Sequence, residues 1–237
     1  MRSNSYTLGF TASVTIVLGF LLSLAASALE EQQDLNIQID KKKNILRSLD
    51  FASSEESPWT PETVQTIFDD YISSIVLDPT GAIMPNTTAD DIQDGAEFHP
   101  VFIKTMNGVV DGYAIPISGK GLWSTLYGYF AVEADGATAK GITFYKHGET
   151  PGLGGEVDKP WFQNNYKGKR FIDKDGNLIG IQSIKGTVDS GDDEAYHKVD
   201  GISGATMTTK GLNQFLLDDL KIYEPFFQRI RAGEGAE

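Results

Sequence analysis

The chain has 237 residues, a formal net charge of −13 at pH 7, 40% hydrophobic residues and no cysteine. That length leaves room for one substantial domain and an appendage, while the acidic surplus argues against nucleic-acid binding and against adhesion to an anionic membrane surface. Without cysteine there are no disulfides, thiol nucleophiles, iron–sulfur ligation or Cys-rich zinc sites.

Residues 7–29 carry no charge, and Ile16, Val17, Leu18, Phe20, Leu21, Leu22 and Leu24 form their apolar centre. As a helix rising about 1.5 Å per residue, such a stretch spans a hydrocarbon core of about 30 Å. Arg2 precedes it, and Glu30, Glu31 and Asp34 follow. The positive-inside rule therefore leaves residues 1–6 in the cytoplasm and directs everything after Leu29 outside. Ala26-Ser27-Ala28 has the form of a processing site, so a cleaved signal peptide is the rival reading. The length of the apolar run and its weak basic flank favour a retained single-pass anchor in the inner (cytoplasmic) membrane.

Residues 30–57 read as a juxtamembrane helix and linker. Leu35, Ile39, Leu46 and Leu49 recur at helical intervals, with Lys41-Lys42-Lys43 on the solvated side. Ser57-Pro58 ends the pattern, and residues 58–237 form the extracytoplasmic domain. A helix opens at Thr60 with Pro61 in its first position, and its apolar stripe is Val64, Ile67, Phe68, Tyr71, Ile72 and Ile75. Residues 78–98 are rich in Asp, Thr, Gly and Pro and read as a loop.

Beyond His99 the period becomes two. Asn107-Gly108 turns one hairpin between residues 101–103 and 109–117, and Asp135-Gly136 turns a second between residues 125–134 and 138–145. Asp175-Gly176-Asn177 predicts a third, pairing residues 170–173 with 178–184. A last helix starts near Thr206, carries Leu212, Phe215, Leu216, Leu220 and Tyr223, and is interrupted or kinked at Pro225. The fold class is α+β: a mostly antiparallel twisted sheet with flanking helices, preceded by one transmembrane helix.

Three loops carry the candidate chemistry. In Asp200-Gly201-Ile202-Ser203-Gly204-Ala205-Thr206 a hydroxyl nucleophile stands among small residues at a helix start, where unpaired N–H groups and the helix dipole favour a phosphate. Gly204 and Ala205 would let the backbone approach a bulky phosphorylated ligand. The plainer reading is a helix cap from Ser203, Thr206 or Thr208. The second loop runs from His147 through Glu149-Thr150-Pro151-Gly152-Leu153-Gly154-Gly155, and the third is Ser118-Gly119-Lys120-Gly121-Leu122-Trp123-Ser124. A planar amphipathic ligand such as a flavin wants apolar surface for its faces and polar groups at its edge. Leu122, Trp123 and Leu153 would wall it, with Ser124, Glu149 and Thr150 at its rim and Gly152 permitting close approach. Trp123 at a strand start is otherwise more often a core residue.

His99, His147 and His197 lack metal-ligand spacing. Asp189, Asp192, Asp193 and Glu194 make an acidic cluster that reads as a solvated turn rather than a Ca²⁺ site, and no residue is singled out as catalytic. Asp158-Lys159-Pro160-Trp161 reads as a loop packed by its tryptophan.

The D-x-x-S-G-A-T run at Asp200–Thr206, the E-T-P-G-L-G run at Glu149–Gly154 and Leu122-Trp123-Ser124 together resemble the C-subunit of the Na⁺-translocating NADH:quinone reductase. Lys43-Asn44-Ile45-Leu46 and the ending from Pro225-Phe226-Phe227 to Gly233 extend the likeness over nearly the whole chain. The resemblance implies an FMN held as a phosphoester on Thr206, one per chain, with Ser203, Gly204, Ala205, Leu122, Trp123, Ser124, Glu149, Thr150, Gly152 and Leu153 around it. It also implies installation by a flavin transferase using FAD and Mg²⁺, and partnership with the other membrane and flavin or iron–sulfur subunits of a complex that delivers electrons from NADH to ubiquinone. The expected role is electron relay, with Na⁺ conduction in another subunit because the anchor has no intramembrane charge. The G-subunit of the Rnf-type electron transport complex shares the threonine and E-T-P-G-L-G motifs and is the alternative; Gly155-Glu156-Val157 favours the C-subunit of the Na⁺-translocating enzyme. A different class, an extracytoplasmic scaffold module with an unmodified threonine, also remains open.

Overall fold

The computed structural model describes residues 3–54, 57–85, 87–89 and 98–234. The chain divides between Asp40 and Lys41 into two units. The first is helical from Asn4 onward, the beginning of α1 (Asn4–Ser48). Its best 18-residue window has a mean hydropathy of 2.1 with none of it buried, making it long and apolar enough to cross a membrane. Leu8, Ile16, Phe20 and Leu22 all stand exposed around it.

The second unit begins with the last turns of α1, so residues 41–48 of the expected juxtamembrane helix belong to the folded domain while residues 30–40 belong to the first unit. α2 (Pro61–Tyr71) starts as its sequence predicts: Thr60 and Thr63 cap each other reciprocally, side chain to backbone, behind Pro61. The helix is shorter than the apolar stripe suggested. Ile72 takes an extended conformation, and β1 (Ile72–Leu77) follows at once. The β-branched run favours a strand once β2 (His99–Met106) supplies an antiparallel partner. Of the expected loop at 78–98, Asp78–Ala82 forms a tight turn closed by the Asp78 carboxylate; residues 86 and 90–97 lie outside the described residues.

β2, β3 (Val109–Lys120), β4 (Thr125–Glu133) and β5 (Ala139–Lys146) continue an antiparallel meander in chain order. Asn107 (φ 53) and Gly108 (φ 77) turn the first hairpin in the left-handed region, as their sequence demands. β3 runs to Lys120, which leaves only residues 121–124 as the β3–β4 loop. The third expected hairpin does not form. Ile172 and Leu178 share a single bridge, while β6 (Gln182–Ser183) pairs in parallel with β7 (Lys198–Val199). Asp173 accepts the N–H groups of Asp175 and Asn177, and Gly180 at φ 76 redirects the chain before a ladder can extend.

One face of the sheet carries the main core: Val101, Ile103, Tyr113, Ile115, Leu126, Phe130 and Ile142 pack with Phe162 of the short α3 (Pro160–Gln163) and with Leu212, Leu216 and Leu220 of α4 (Thr206–Arg231). The opposite face is covered by the end of α1. Thr143 donates to the Asn44 carbonyl at 3.0 Å and Lys104 to the Leu49 carbonyl at 2.9 Å. Lys42, expected on the solvated side, instead donates to Gln65 at 2.7 Å and lies 4.9 Å from the Phe68 ring centroid. α4 passes through Pro225 without interruption. Phe226 and Phe227 just beyond it are buried against Tyr113, and that packing outweighs the hydrogen bond a proline removes.

α4 crosses β3 with backbones nearly touching. A Cβ on Gly119 would lie 2.1 Å from Phe215 Cβ, and one on Gly211 would lie 2.2 Å from the Lys120 carbonyl oxygen. This contact sets the start of α4 beside the loop that closes β3 and β4. At the same crossing Asp219 accepts the Ser118 N–H at 2.9 Å. Burial pushes its carboxyl up to about 7, with Asp218 adding to the shift and the Ser118 hydrogen bond opposing it. Because the folded-state value lies above the ordinary 3.8, ionising Asp219 costs folding free energy, and the cost grows as pH rises from 3.8 through about 7. Asp219→Asn should therefore raise Tm at pH 8, by about 2–4 °C per kcal/mol recovered, and leave Tm at pH 4 nearly unchanged. An equal shift at both pH values in thermal unfolding would contradict this.

Candidate functional site

Glu149 organises the site. It is 5% exposed, at the end of the segment that follows β5. Its Oε1 accepts the N–H groups of Trp123 at 2.8 Å and Ser124 at 3.0 Å; its Oε2 accepts the Leu122 N–H at 3.3 Å and the Thr208 hydroxyl at 2.7 Å. One carboxylate thus joins the β3–β4 loop to the first turn of α4. Burial alone would raise its pKa, but the Thr208 hydroxyl and the three amides together hold it below the ordinary 4.5, so it stays ionised at neutral pH.

The glycines around it answer to this carboxylate. A Cβ on Gly121 would stand 2.7 Å from Oε1, and one on Gly154 would stand 2.6 Å from Oε2 and 2.5 Å from the Thr208 oxygen. Expected at the rim of a ligand, Glu149 instead lies buried beneath the loops, its oxygens occupied by the chain itself. Ser124 is half-buried; its hydroxyl accepts the Gly148 N–H at 2.6 Å. Thr150 is exposed, and its carbonyl accepts from Leu153 and Gly155. Gly152 turns this segment at φ 76 in open space.

The apolar residues behave differently. Trp123 is 72% exposed, Leu122 and Leu153 each 43%. Trp123 is therefore no core residue. Met207, which sequence reading passed over, is 56% exposed in the same first turn of α4. Leu153 reaches Gly204, where a Cβ would meet Leu153 Cδ2 at 2.7 Å; Gly204 also sits at φ 75. The positive φ favours glycine there, and a Cβ would also displace the Leu153 methyl group.

α4 begins without a side-chain cap. The N-cap is Ala205, so the capping reading of Ser203, Thr206 and Thr208 fails. Thr208 is turned inward to Glu149. Ser203, Gly204 and Thr206 are exposed, and among the described residues no hydrogen bond engages the Thr206 side-chain oxygen. Ala205, expected to give a ligand close approach, is 2% exposed and belongs to the core. Asp200 braces the run by accepting the Val188 N–H at 2.7 Å.

Beside Thr206 opens a cleft of about 610 Å³ between residues 183–187, residues 201–204 and the α4 face of Thr206, Thr209, Lys210 and Asn213. Asn213 fixes its far wall, accepting the Ser183 N–H at 2.8 Å and donating to the Ser183 carbonyl at 2.9 Å. The i, i+3, i+4, i+7 spacing of those α4 residues was the sequence signal for this face. Lys185 and Lys210 are the cationic residues lining the cleft.

The other candidates resolve into structural roles. Asp192 and Glu194 each accept from Lys198 at 2.8 Å, and no described cluster has the makings of a metal site. His147 faces Asp158 at 3.4 Å, and His197 is buried. Trp161 is exposed and donates to Glu156; the neighbouring Phe162 is the residue that packs.

Residues 121–221, which span all three loops and most of α4, match the FMN-binding domain family. The site thus belongs to the class of FMN-binding domains. Within that class the chain belongs to the C-subunit family of the Na⁺-translocating NADH-quinone reductase. It is 33% identical to that subunit from Pseudomonas aeruginosa over 265 residues, covering 98% of each chain. The subunit from Haemophilus ducreyi is also 33% identical, with 99% of each chain covered. The crystal structure of the same subunit from Parabacteroides distasonis superposes with a TM-score of 0.72 at 31% identity, over 84% of this chain and 96% of that one. Shewanella oneidensis NqrC gives 0.68 at 28% identity, over 81% and 96%.

Adding one methyl group beside the Glu149 carboxylate tests this packing. Gly154→Ala should cost about 1–3 kcal/mol in denaturant unfolding. Gly191→Ala, whose Cβ meets only Asp189 Oδ1 at 3.5 Å, should stay within about 0.5 kcal/mol of the parent. Equal effects would contradict the close packing.

Proposed function

We propose that the chain carries FMN, bonded through its phosphate to the side-chain oxygen of Thr206, and relays electrons within the Na⁺-translocating NADH:quinone reductase. The observation that carries this reading is the start of α4: an exposed, unbonded Thr206 hydroxyl on a helix with no side-chain cap, next to exposed Leu153 and Met207. Bound there, FMN supplies one- and two-electron redox chemistry.

The residues present fit such a group. The uncapped N–H groups of the first turn and the helix dipole face an anion at Thr206, and Lys185 and Lys210 add positive charge along the adjoining cleft. Leu122, Trp123, Leu153 and Met207 offer exposed apolar surface for the faces of a flavin. Ser203 and Gly204 leave the approach to Thr206 open. Attachment through a hydroxyl suits a chain without cysteine, and a covalent bond retains the cofactor outside the cytoplasm. A flavin transferase acting with FAD and Mg²⁺ would install it.

Residues 7–29 serve as the membrane anchor, with the FMN domain extracytoplasmic. The length of the apolar run and its weak basic flank support retention over cleavage. Electron donor and acceptor are then other subunits of the complex, and the chain has no reaction of its own.

Co-expression with the flavin transferase tests the attachment. The parent chain should show in-gel flavin fluorescence, Thr206→Ser partial labelling, and Thr206→Ala none. Full labelling of Thr206→Ala would overturn the assignment. Leu153→Asp should keep the label and shift the flavin absorbance spectrum; an unchanged spectrum would remove Leu153 from the site.

A further inference from the structure

We infer that Glu149 is a positioning residue: its buried carboxylate pins the Leu122–Ser124 loop to the first turn of α4 and so fixes Leu122 and Trp123 relative to Thr206 before any cofactor arrives. This rests on the flavin reading above and deepens it.

Three consecutive backbone N–H groups pointing at one acceptor form a concavity of the kind that binds anions. Here the chain fills it with its own carboxylate, at 3.3, 2.8 and 3.0 Å from the three nitrogens. A phosphate is thereby kept out of this concavity, leaving the uncapped start of α4 as the place for one. A further donor, the Thr208 hydroxyl, lies two residues after Thr206 on the same helix turn. Movement of Glu149 therefore shifts the loop bearing Trp123 against the residue proposed to bear the cofactor.

The arrangement is over-determined locally. Gly121 donates to the Ser124 carbonyl at 2.8 Å, closing the loop on itself, and Ser124 holds Gly148, the residue before Glu149. Gly121 and Gly154 leave the carboxylate the space that a Cβ at either position would take. Hydrogen bonds to an ionised acceptor are roughly twice as strong as neutral ones. A glutamine in this position loses the charge and turns an N–H donor toward either the Leu122 amide or the Trp123 and Ser124 amides. Trp123 is 72% exposed and Leu122 43%, so their placement depends largely on the backbone beneath.

The test uses the full chain in detergent, with two readouts. In unmodified protein, peptide-resolved hydrogen exchange over residues 121–125 should quicken at least ten-fold in Glu149→Gln and less in Thr208→Val, while Thr208→Ser matches the parent. In chain co-expressed with the flavin transferase, Glu149→Gln should still gain FMN by intact mass but lose most of the induced circular dichroism of the flavin bands. Unchanged exchange in Glu149→Gln would overturn the latch. Quickened exchange with unchanged induced dichroism would show a latch that positions nothing, and would overturn the proposal equally. Failure of the underlying flavin reading is recognised separately, because the parent chain itself would then gain no mass; the positioning role would fall with it.

Discussion

A single buried carboxylate holds the candidate site together. Among the described residues Glu149 has no cationic partner; its charge is met by three amides and by the hydroxyls of Thr208 and, at 3.5 Å, Ser124. An ionised group at 5% exposure is tolerable only with such donors. The dependence runs both ways. The loop needs an acceptor for its converging N–H groups, and the carboxylate needs them as donors. Gly121 and Gly154 are glycines because this cluster leaves no space for a Cβ, and Thr208 is buried because its hydroxyl completes it. The exposed parts of the site, Thr206 and the apolar side chains around it, stand on this base.

The larger fold serves to bring the three segments to one corner. The meander delivers the β3–β4 loop and the segment after β5 to the same end of the sheet. α4 is anchored far from the site by Phe226 and Phe227, and its contact with β3 at Gly119 and Gly211 sets its axis and its start. The ends of α1 and α2 cover the other face, so the sheet is supported from behind while its candidate site stays open. This arrangement leaves the corner that carries Thr206, Leu122, Trp123 and Leu153 exposed on a packed frame.

Features encoded by local chemistry were legible in the sequence. Asn107-Gly108 and Asp135-Gly136 turned the hairpins where expected, and Thr60-Pro61 started its helix. Thr206 lies in the first turn of the last helix, as the small residues before it suggested. Features that depend on distant partners were not legible. Nothing near Glu149 in sequence reveals that its acceptor capacity is consumed 25 to 27 residues upstream and 59 residues downstream. The glycines of its loop therefore looked like accommodation for a ligand. Ala205 seemed open for the same reason, yet its methyl group is a core contact. Pro225 looked like a break because its neighbours' burial against Tyr113 cannot be seen locally, and the Asp175-Gly176-Asn177 turn looked like a hairpin although β6 finds its partner in β7 instead.

The most direct measurement is a crystal structure of the chain after co-expression with the flavin transferase. The account predicts continuous density from the Thr206 side-chain oxygen to a phosphate, with the flavin ring against Leu122, Trp123 and Leu153 and Glu149 still bound to the loop amides. A phosphate seated on the Leu122–Ser124 amides with Glu149 displaced, or a flavin lying in the cleft by Lys185 and unbonded to Thr206, would contradict it.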